Sequence, residues 1–578
     1  MAAEHMEAKH SKRTGRERIW RLMPYILLAL IIIFDLAYAI AFATGPTSLS
    51  EDDAYVGLAF GVLHHQFSFQ SIDTGRVLEY LPIAAFFALF GTNVYTSTAW
   101  NIIMFLGSVL IAFLLGKEVY NKKAGLLSAL LLSFFIPTVN GATRVEINEA
   151  MMFFSAMALL ALLYGRNKKS WKWMLASGIL LVAGMLTTPI ALYAIVLALL
   201  FVAVELARGK MTLRALGSMV AGMAIAAIAI MALSYATSGN PMVLVSLNQE
   251  YYSNLTMTQT TYGIIGAPVP YASGSMNYLN YYIYYYPQKM LQYYSMQGLV
   301  SRLTSNNWNI TGLFRQVTNR DSAAGFYFYA VMIAAAYLLV RRDRRLYYPA
   351  LWLGVGFLFI QFAPQGLTLQ PFRWILIFRD VRYLASIAVP TSVIIAMALA
   401  RMMETKARHR AALRSGNAGS HAFELSKLLF AAAAIVFLIA TSVPVNLSWS
   451  SYIYTEYYSL HAIANMFAPA TNNVTIWYPS GDYPRIQLYV DGNSHVTLLM
   501  LDGIPNCSAF AVGSYVIIPN ATAGYSPRWP YINDTAKYCP NLKLVASPYD
   551  SNATDGLVHL AEEYEQRLYY VPETAYIN

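Results

Sequence analysis

Charge is scarce in this 578-residue chain: Asp, Glu, Lys and Arg make up 12% of it, against about 25% in an average soluble domain. With 57% of residues in the hydrophobic set and a mean hydropathy of +0.43, that scarcity excludes an ordinary soluble protein. Cysteine is nearly absent as well. Cys507 and Cys539 are the only two, so neither a disulfide scaffold nor a cysteine metal cluster organises the fold, and one bridge is the most they can form. No Gly-rich phosphate loop of the Walker type occurs.

What the chain does have is apolar runs close to the ~20 residues needed to cross a bilayer, separated by short basic clusters. Eleven spans are predicted, near 22–43, 97–116, 124–141, 148–165, 173–188, 189–207, 214–234, 325–341, 347–363, 383–400 and 426–444. An odd number puts the termini on opposite sides. The positive-inside rule makes the N-terminus cytoplasmic and the C-terminus extracytoplasmic, because the segments assigned to the inside hold 26 of the 40 Lys and Arg residues. The net charge of +10 is therefore a topology signal and not a nucleic-acid footprint. All eight Asn-x-Ser/Thr sequons, at Asn254, Asn309, Asn446, Asn473, Asn506, Asn520, Asn533 and Asn552, fall on the predicted outside. The first apolar stretch is long and follows a basic tail, so it reads as a retained anchor. The expected location is a plasma membrane, with the sequons favouring an archaeal over a bacterial one, or an endoplasmic reticulum.

Residues 1–444 thus form the expected transmembrane domain. From about 445 to 578 short β-rich runs (473–478, 496–500, 515–518, 542–546) interleave with helix-like stretches near 456–468 and 556–570, the pattern of a small extracytoplasmic α/β domain. An oxidising exterior would permit a Cys507–Cys539 bridge. The other large outside segment, 235–324, is rich in tyrosine (Tyr251, Tyr252, then Tyr278 to Tyr286). Such tyrosines mark either a membrane surface or a loop contacting lipid or sugar.

Three clusters could carry chemistry. Ser50-Glu51-Asp52-Asp53-Ala54-Tyr55 follows the first span and precedes an apolar stretch, Val56 to Leu63, that reads as a helix along the membrane. Adjacent carboxylates stay solvated, raise a pKa, or hold a cation or basic group; helix capping is the bland alternative. Thr143-Arg144-Val145-Glu146-Ile147-Asn148-Glu149 occupies the very short outside turn between the third and fourth spans. There Arg144 either binds a phosphate, with Glu149 facing the cavity of Asp52, or forms an ion pair with Glu149. Arg373, Arg379, Asp380 and Arg382 lie outside the tenth span, where cations oppose the topological bias and either meet a lipid-linked phosphate or snorkel. His64 and His65 read as surface residues, and Asp35 lies within the first span with no partner evident.

In order and spacing these residues resemble the GT-C class of polyprenyl-phosphate-sugar-dependent membrane glycosyltransferases, in particular the protein O-mannosyltransferase and aminoarabinose-transferase branch. Asp52-Asp53-Ala54-Tyr55 is similar to that family's acidic pair and aromatic. Leu78-Glu79-Tyr80-Leu81-Pro82-Ile83 through Phe90-Gly91 resembles its proline motif, Tyr120 to Gly125 a cytoplasmic turn, Arg144 to Glu149 the turn between the third and fourth spans, and Arg382-Tyr383 an Arg-Tyr before a late span. The departures are Tyr80 in place of His or Lys, Leu81 in place of the first proline, and no basic residue near Thr187-Thr188-Pro189.

The resemblance implies that Asp52 is the catalytic carboxylate, that Asp53 and Glu149 support it or help hold a divalent cation (Mg or Mn), and that Arg144 and Arg382 approach the donor phosphate. The expected partners are a polyprenyl-phosphate-linked sugar, an acceptor protein, glycan or lipid, and membrane lipids, with no nucleic acid. The expected reaction is inverting transfer to a hydroxyl or amine at the outer face. Two other readings are an oligosaccharyltransferase, whose Trp-Trp-Asp signature is absent, and a lipid-linked-glycan transporter or flippase, which predicts buried charges or repeats where Asp35 is nearly the only mid-span charge.

Overall fold

The structure, a computed structural model, describes residues 2–46, 52–67, 69, 72–247, 250, 325–362, 364–369, 372–376, 381–404, 418–467, 469–479, 487–488, 493–501, 510–519, 539, 541–546, 554–555, 558–559 and 566–572. Most of the tyrosine-rich segment and the predicted site residues Arg379 and Asp380 lie outside them.

The chain is mostly helical. In order come α1 (Ala2–Ala41), α2 (Asp52–Leu63), α3 (Val77–Phe90), α4 (Val94–Val119), α5 (Lys122–Leu132), α6 (Ile136–Ala142) and α7 (Ile147–Lys168). They are followed by α8 (Trp171–Met185), α9 (Leu192–Ala207), α10 (Leu213–Ser238), α11 (Tyr327–Val340), α12 (Tyr347–Phe362), α13 (Ala385–Met402) and α14 (Ala418–Phe467). Ten of the eleven predicted spans each fall on one of these helices, and the third falls on α5 and α6 together. Among the described residues seven are long and apolar enough to cross a bilayer, or eight if the pair α5 and α6 is one span. The protein is an integral, multi-pass membrane protein.

The third predicted span is not one helix. It breaks by 65° between α5 and α6, because Pro137 in a continuous helix would lose a hydrogen bond and clash with the preceding turn. In the first turn of α6 the missing N–H costs nothing. The break has a partner in the first span: Ser133 caps α5 and donates a hydrogen bond to Asp35 Oδ2 at 2.6 Å, and Asp35 is buried. Deep in the bundle, α13 has every residue from Ala385 to Ala400 buried. It packs against α4, α5, α7, α11 and α12.

The segments expected on the cytoplasmic side meet one another at one end of the bundle. Arg166 pairs with the buried Glu205 at 2.8 Å, Asn121 donates to Glu404 at 3.1 Å, and Arg345 lies 4.7 Å from the ring centre of Tyr120. At the other end the chain leaving α1 pairs with the turn before α7: Thr44 N donates to Thr143 O at 2.9 Å, and Gly45 bridges Arg144 in parallel.

A two-stranded antiparallel pair, β1 (Pro364–Leu369) and β2 (Phe372–Leu376), precedes α13, with Arg373 on β2 opposite Thr368; this hairpin and helix α3 are additions to the predicted elements. The helix bearing the last span, α14, continues past residue 444 to Phe467 and leads into a five-stranded sheet. Four of its strands match predicted runs: β3 (Val474–Pro479), β4 (Val496–Leu501), β5 (Tyr515–Pro519) and β6 (Lys543–Ala546). Within the helix-like stretch predicted near 556–570, the described residues are strand. After the short β7 (Thr554–Asp555) and β8 (Val558–His559), β9 (Gln566–Tyr570) inserts antiparallel between β5 and β6, in the order β4-β3-β5-β9-β6. Sheet context decides there: Leu568 is fully buried in a cluster with Ile476 and Ile517, under Leu460, Ile463 and Phe467 of α14. Cys539 is disulfide-bonded, and its expected partner Cys507 lies outside the described residues. Of the sequons, Asn473 is exposed and Asn446 is buried within α14, so the folded protein closes Asn446 to glycosylation.

Candidate active site

The predicted acidic pair opens α2, where Asp52 and Asp53 occupy the first turn and meet the positive end of the helix dipole. They have different surroundings. Asp52 is 1% exposed, whereas Asp53 is half-buried and its Oδ1 accepts from the N–H of Ala54 at 3.0 Å. Helix α3 then lies against α2 and buries Glu79 completely. Next to it Arg76 pairs with Asp73 at 3.1 Å and lies 5.4 Å from the ring centre of Tyr55.

Glu146, rather than Glu149, is the centre of the turn between the third and fourth spans. It is the N-cap of α7 and 1% exposed. One oxygen accepts from Arg144 Nη2 at 2.8 Å. The other accepts from the Asn148 side-chain amide and, at 3.4 Å, from the Asn148 N–H. Arg382 Nη1, on the 3₁₀ turn Val381–Leu384, is 4.0 Å from the same Oε1. Asn101 of α4 donates to the Glu146 carbonyl at 2.6 Å. The alternative of an Arg144–Glu149 ion pair is therefore replaced by Arg144–Glu146. Glu149 points instead toward Gly141, whose absent Cβ leaves the space its carboxylate fills. Neither Glu149 oxygen has a hydrogen-bond partner among the described residues.

Electrostatics tie the cluster together. Burial drives the Glu79 carboxyl well above the usual carboxylate range, repulsion from Glu146 and Asp52 adds to this, and Asn101 and Arg76 oppose it. The charge of Glu79 is in turn felt at Glu149. Four carboxyls, Asp52, Glu79, Glu146 and Glu149, thus share one buried region with Arg144 and Arg382 at its edge. Of these, Glu79 and Glu146 were within quoted motifs but carried no expected role. A lone acid in the apolar run Val77–Phe90 was the available signal.

Glu79 gives a pH prediction. The folded state holds this proton more tightly than the unfolded chain, so stability falls as pH rises from the unfolded value near 4.5 toward the folded one. Glu79→Gln is neutral in both states and lacks that decline. Thermal unfolding of detergent-solubilised protein between pH 4 and 8 checks this: the wild-type Tm should drop relative to the variant as pH rises, and parallel curves would show Glu79 ionised in the fold.

No group of three His, Cys, Asp or Glu side chains among the described residues is placed to hold a metal ion.

Comparison with known proteins follows the same lines. Residues 77–235 match the family model for dolichyl-phosphate-mannose-protein mannosyltransferase, a segment that includes Glu79, Arg144, Glu146 and Glu149 but neither Asp52 nor Arg382. Among solved structures, ArnT from Cupriavidus metallidurans in the apo state is 11% identical, with a TM-score of 0.50, covering 96% of this chain and 98% of that chain. ArnT bound to undecaprenyl phosphate is 12% identical with the same TM-score and coverage. The archaeal oligosaccharyltransferase AglB from Archaeoglobus fulgidus, in complex with an inhibitory peptide and a dolichol-phosphate, is 12% identical with a TM-score of 0.49, covering 86% and 69%. No curated protein matches the sequence. The chain carries the GT-C glycosyltransferase fold in a membrane-spanning helical bundle, and its residues 77–235 are similar to the dolichyl-phosphate-mannose-protein mannosyltransferases.

Proposed function

We propose that this chain is a membrane glycosyltransferase that moves a sugar from a polyprenyl phosphate to a hydroxyl or amine acceptor, with inversion, at the extracytoplasmic face. The observation that carries this reading is the Arg144–Glu146–Arg382 arrangement beside the buried carboxyls. Two guanidinium groups converge on one buried carboxylate, which gathers positive charge where an anionic phosphodiester donor would meet it. Their fork geometry suits phosphate oxygens.

Asp52 takes the proton of the acceptor O–H or N–H as the acceptor atom bonds to the anomeric carbon. The bond from that carbon to the phosphate oxygen breaks, and the polyprenyl phosphate leaves with the electron pair. Arg144 and Arg382 stabilise the second negative charge that grows on the phosphate. Glu146 holds Arg144 in place and Glu149 and Glu79 back Asp52 within one low-dielectric region.

Incubating the purified protein with labelled polyprenyl-phosphate sugars tests the proposal, with release of polyprenyl phosphate followed alongside label entering acceptor material. Turnover of one donor is the expected outcome. Failure of every donor with folded protein and natural membrane acceptors would favour a transporter. Arg144→Ala should raise the apparent KM for the donor by about 10- to 100-fold, the worth of a charge-assisted hydrogen bond, with a smaller change in kcat. An unchanged donor KM would remove Arg144 from phosphate recognition.

A further inference from the structure

Strands β3 and β4 are parallel, so the chain between them must cross over the sheet. That crossover carries Gln487 and Leu488. Leu488 is 4% exposed and is packed not in the core of its own sheet but in the cluster formed by α2, α3 and the turn before α7, with Tyr55, Val56, Val145 and Ile147. A Cβ built on Gly45 would lie 3.8 Å from Leu488 Cδ1, and Gly45 is the residue that bridges Arg144. One side chain of the C-terminal region therefore packs beside Gly45, the residue paired with Arg144, and shares a buried cluster with Val145 and Ile147 on either side of Arg144 and Glu146.

We propose that Leu488 is a positioning residue: packed beside Gly45 and in one cluster with Val145 and Ile147, it fixes the Thr143–Ile147 turn that presents Arg144 to the donor phosphate. The assignment to the donor site rests on the proposed transferase reading; the mechanical coupling does not. A packed neighbour that excludes motion sets the opening free energy of the backbone beside it. The C-terminal region thereby governs how precisely Arg144 and Glu146 are held, even though they pair with each other and Glu146 with Asn148 and Arg382.

The test compares Leu488→Ala and Leu488→Met with wild type by hydrogen–deuterium exchange of peptides covering 42–46 and 143–149, and by donor kinetics per folded molecule. Leu488→Ala should speed exchange in both segments by about tenfold, leave the distant α13 protected, and raise donor KM severalfold. Leu488→Met, which refills the space, should restore both. Unchanged exchange in Leu488→Ala overturns the coupling. Faster exchange with a wild-type donor KM overturns the positioning role. A wild-type protein inactive on every donor defeats the transferase reading instead, and the exchange result then decides the coupling alone.

Discussion

Asp52→Asn is expected to lower sugar transfer by about 10²- to 10⁴-fold, the usual contribution of a positioned general base, without unfolding the protein. Asn has the shape of Asp, so the packing of this 1% exposed side chain persists. The charge it removes lies at the positive end of α2, so the variant should lose no more than about 1 kcal/mol of stability. This combination separates loss of chemistry from loss of structure. Turnover of the active donor, normalised to monodisperse protein, is the measurement. Full activity in Asp52→Asn would take the residue out of the mechanism.

Glu146→Ala should have the largest effect on stability, a loss of about 3–5 kcal/mol, as when one partner of a buried ion pair is deleted. The substitution strips Arg144 of its 2.8 Å contact and removes both the cap of α7 and the acceptor for the Asn148 amide. Glu146→Gln keeps the cap and an acceptor, and should recover part of that loss. Equilibrium unfolding in mixed micelles reads the difference. A loss below about 1 kcal/mol, the range of an exposed pair, would show that Glu146 does not organise the turn.

The helical bundle was legible because span length and loop charge are local properties. All eleven apolar runs became helices, and β3 to β6 followed their β-rich runs. What composition could not show was approach across the chain. Asn101 meets the carbonyl of Glu146 from 45 residues away, and Arg382 reaches the same residue from another turn. Hydropathy also has no term for a bend, so Pro137 passed as part of one span although it forces two helices. The 566–570 segment failed differently: its neighbours in the sheet, not its own pattern, make it a strand. Asp52, Asp53, Arg144, Glu149 and Arg382 are each legible as candidates in the sequence, but that Arg144 and Arg382 both approach Glu146 needed the fold.

The hydrogen bond between Asp35 and Ser133 has a consequence for synthesis. Its partners are 98 residues apart, and at about 5–20 residues per second a ribosome needs roughly 5–20 s to make the second after the first. During that interval α1 enters the bilayer with a carboxyl that has no Ser133 to meet. At mid-helix this costs about 2.5–3.5 kcal/mol, to be offset by the apolar residues around it. The nascent chain is thus committed to the membrane before its buried carboxyl has a partner, and until then α1 is held by its packing against α4, which is made earlier.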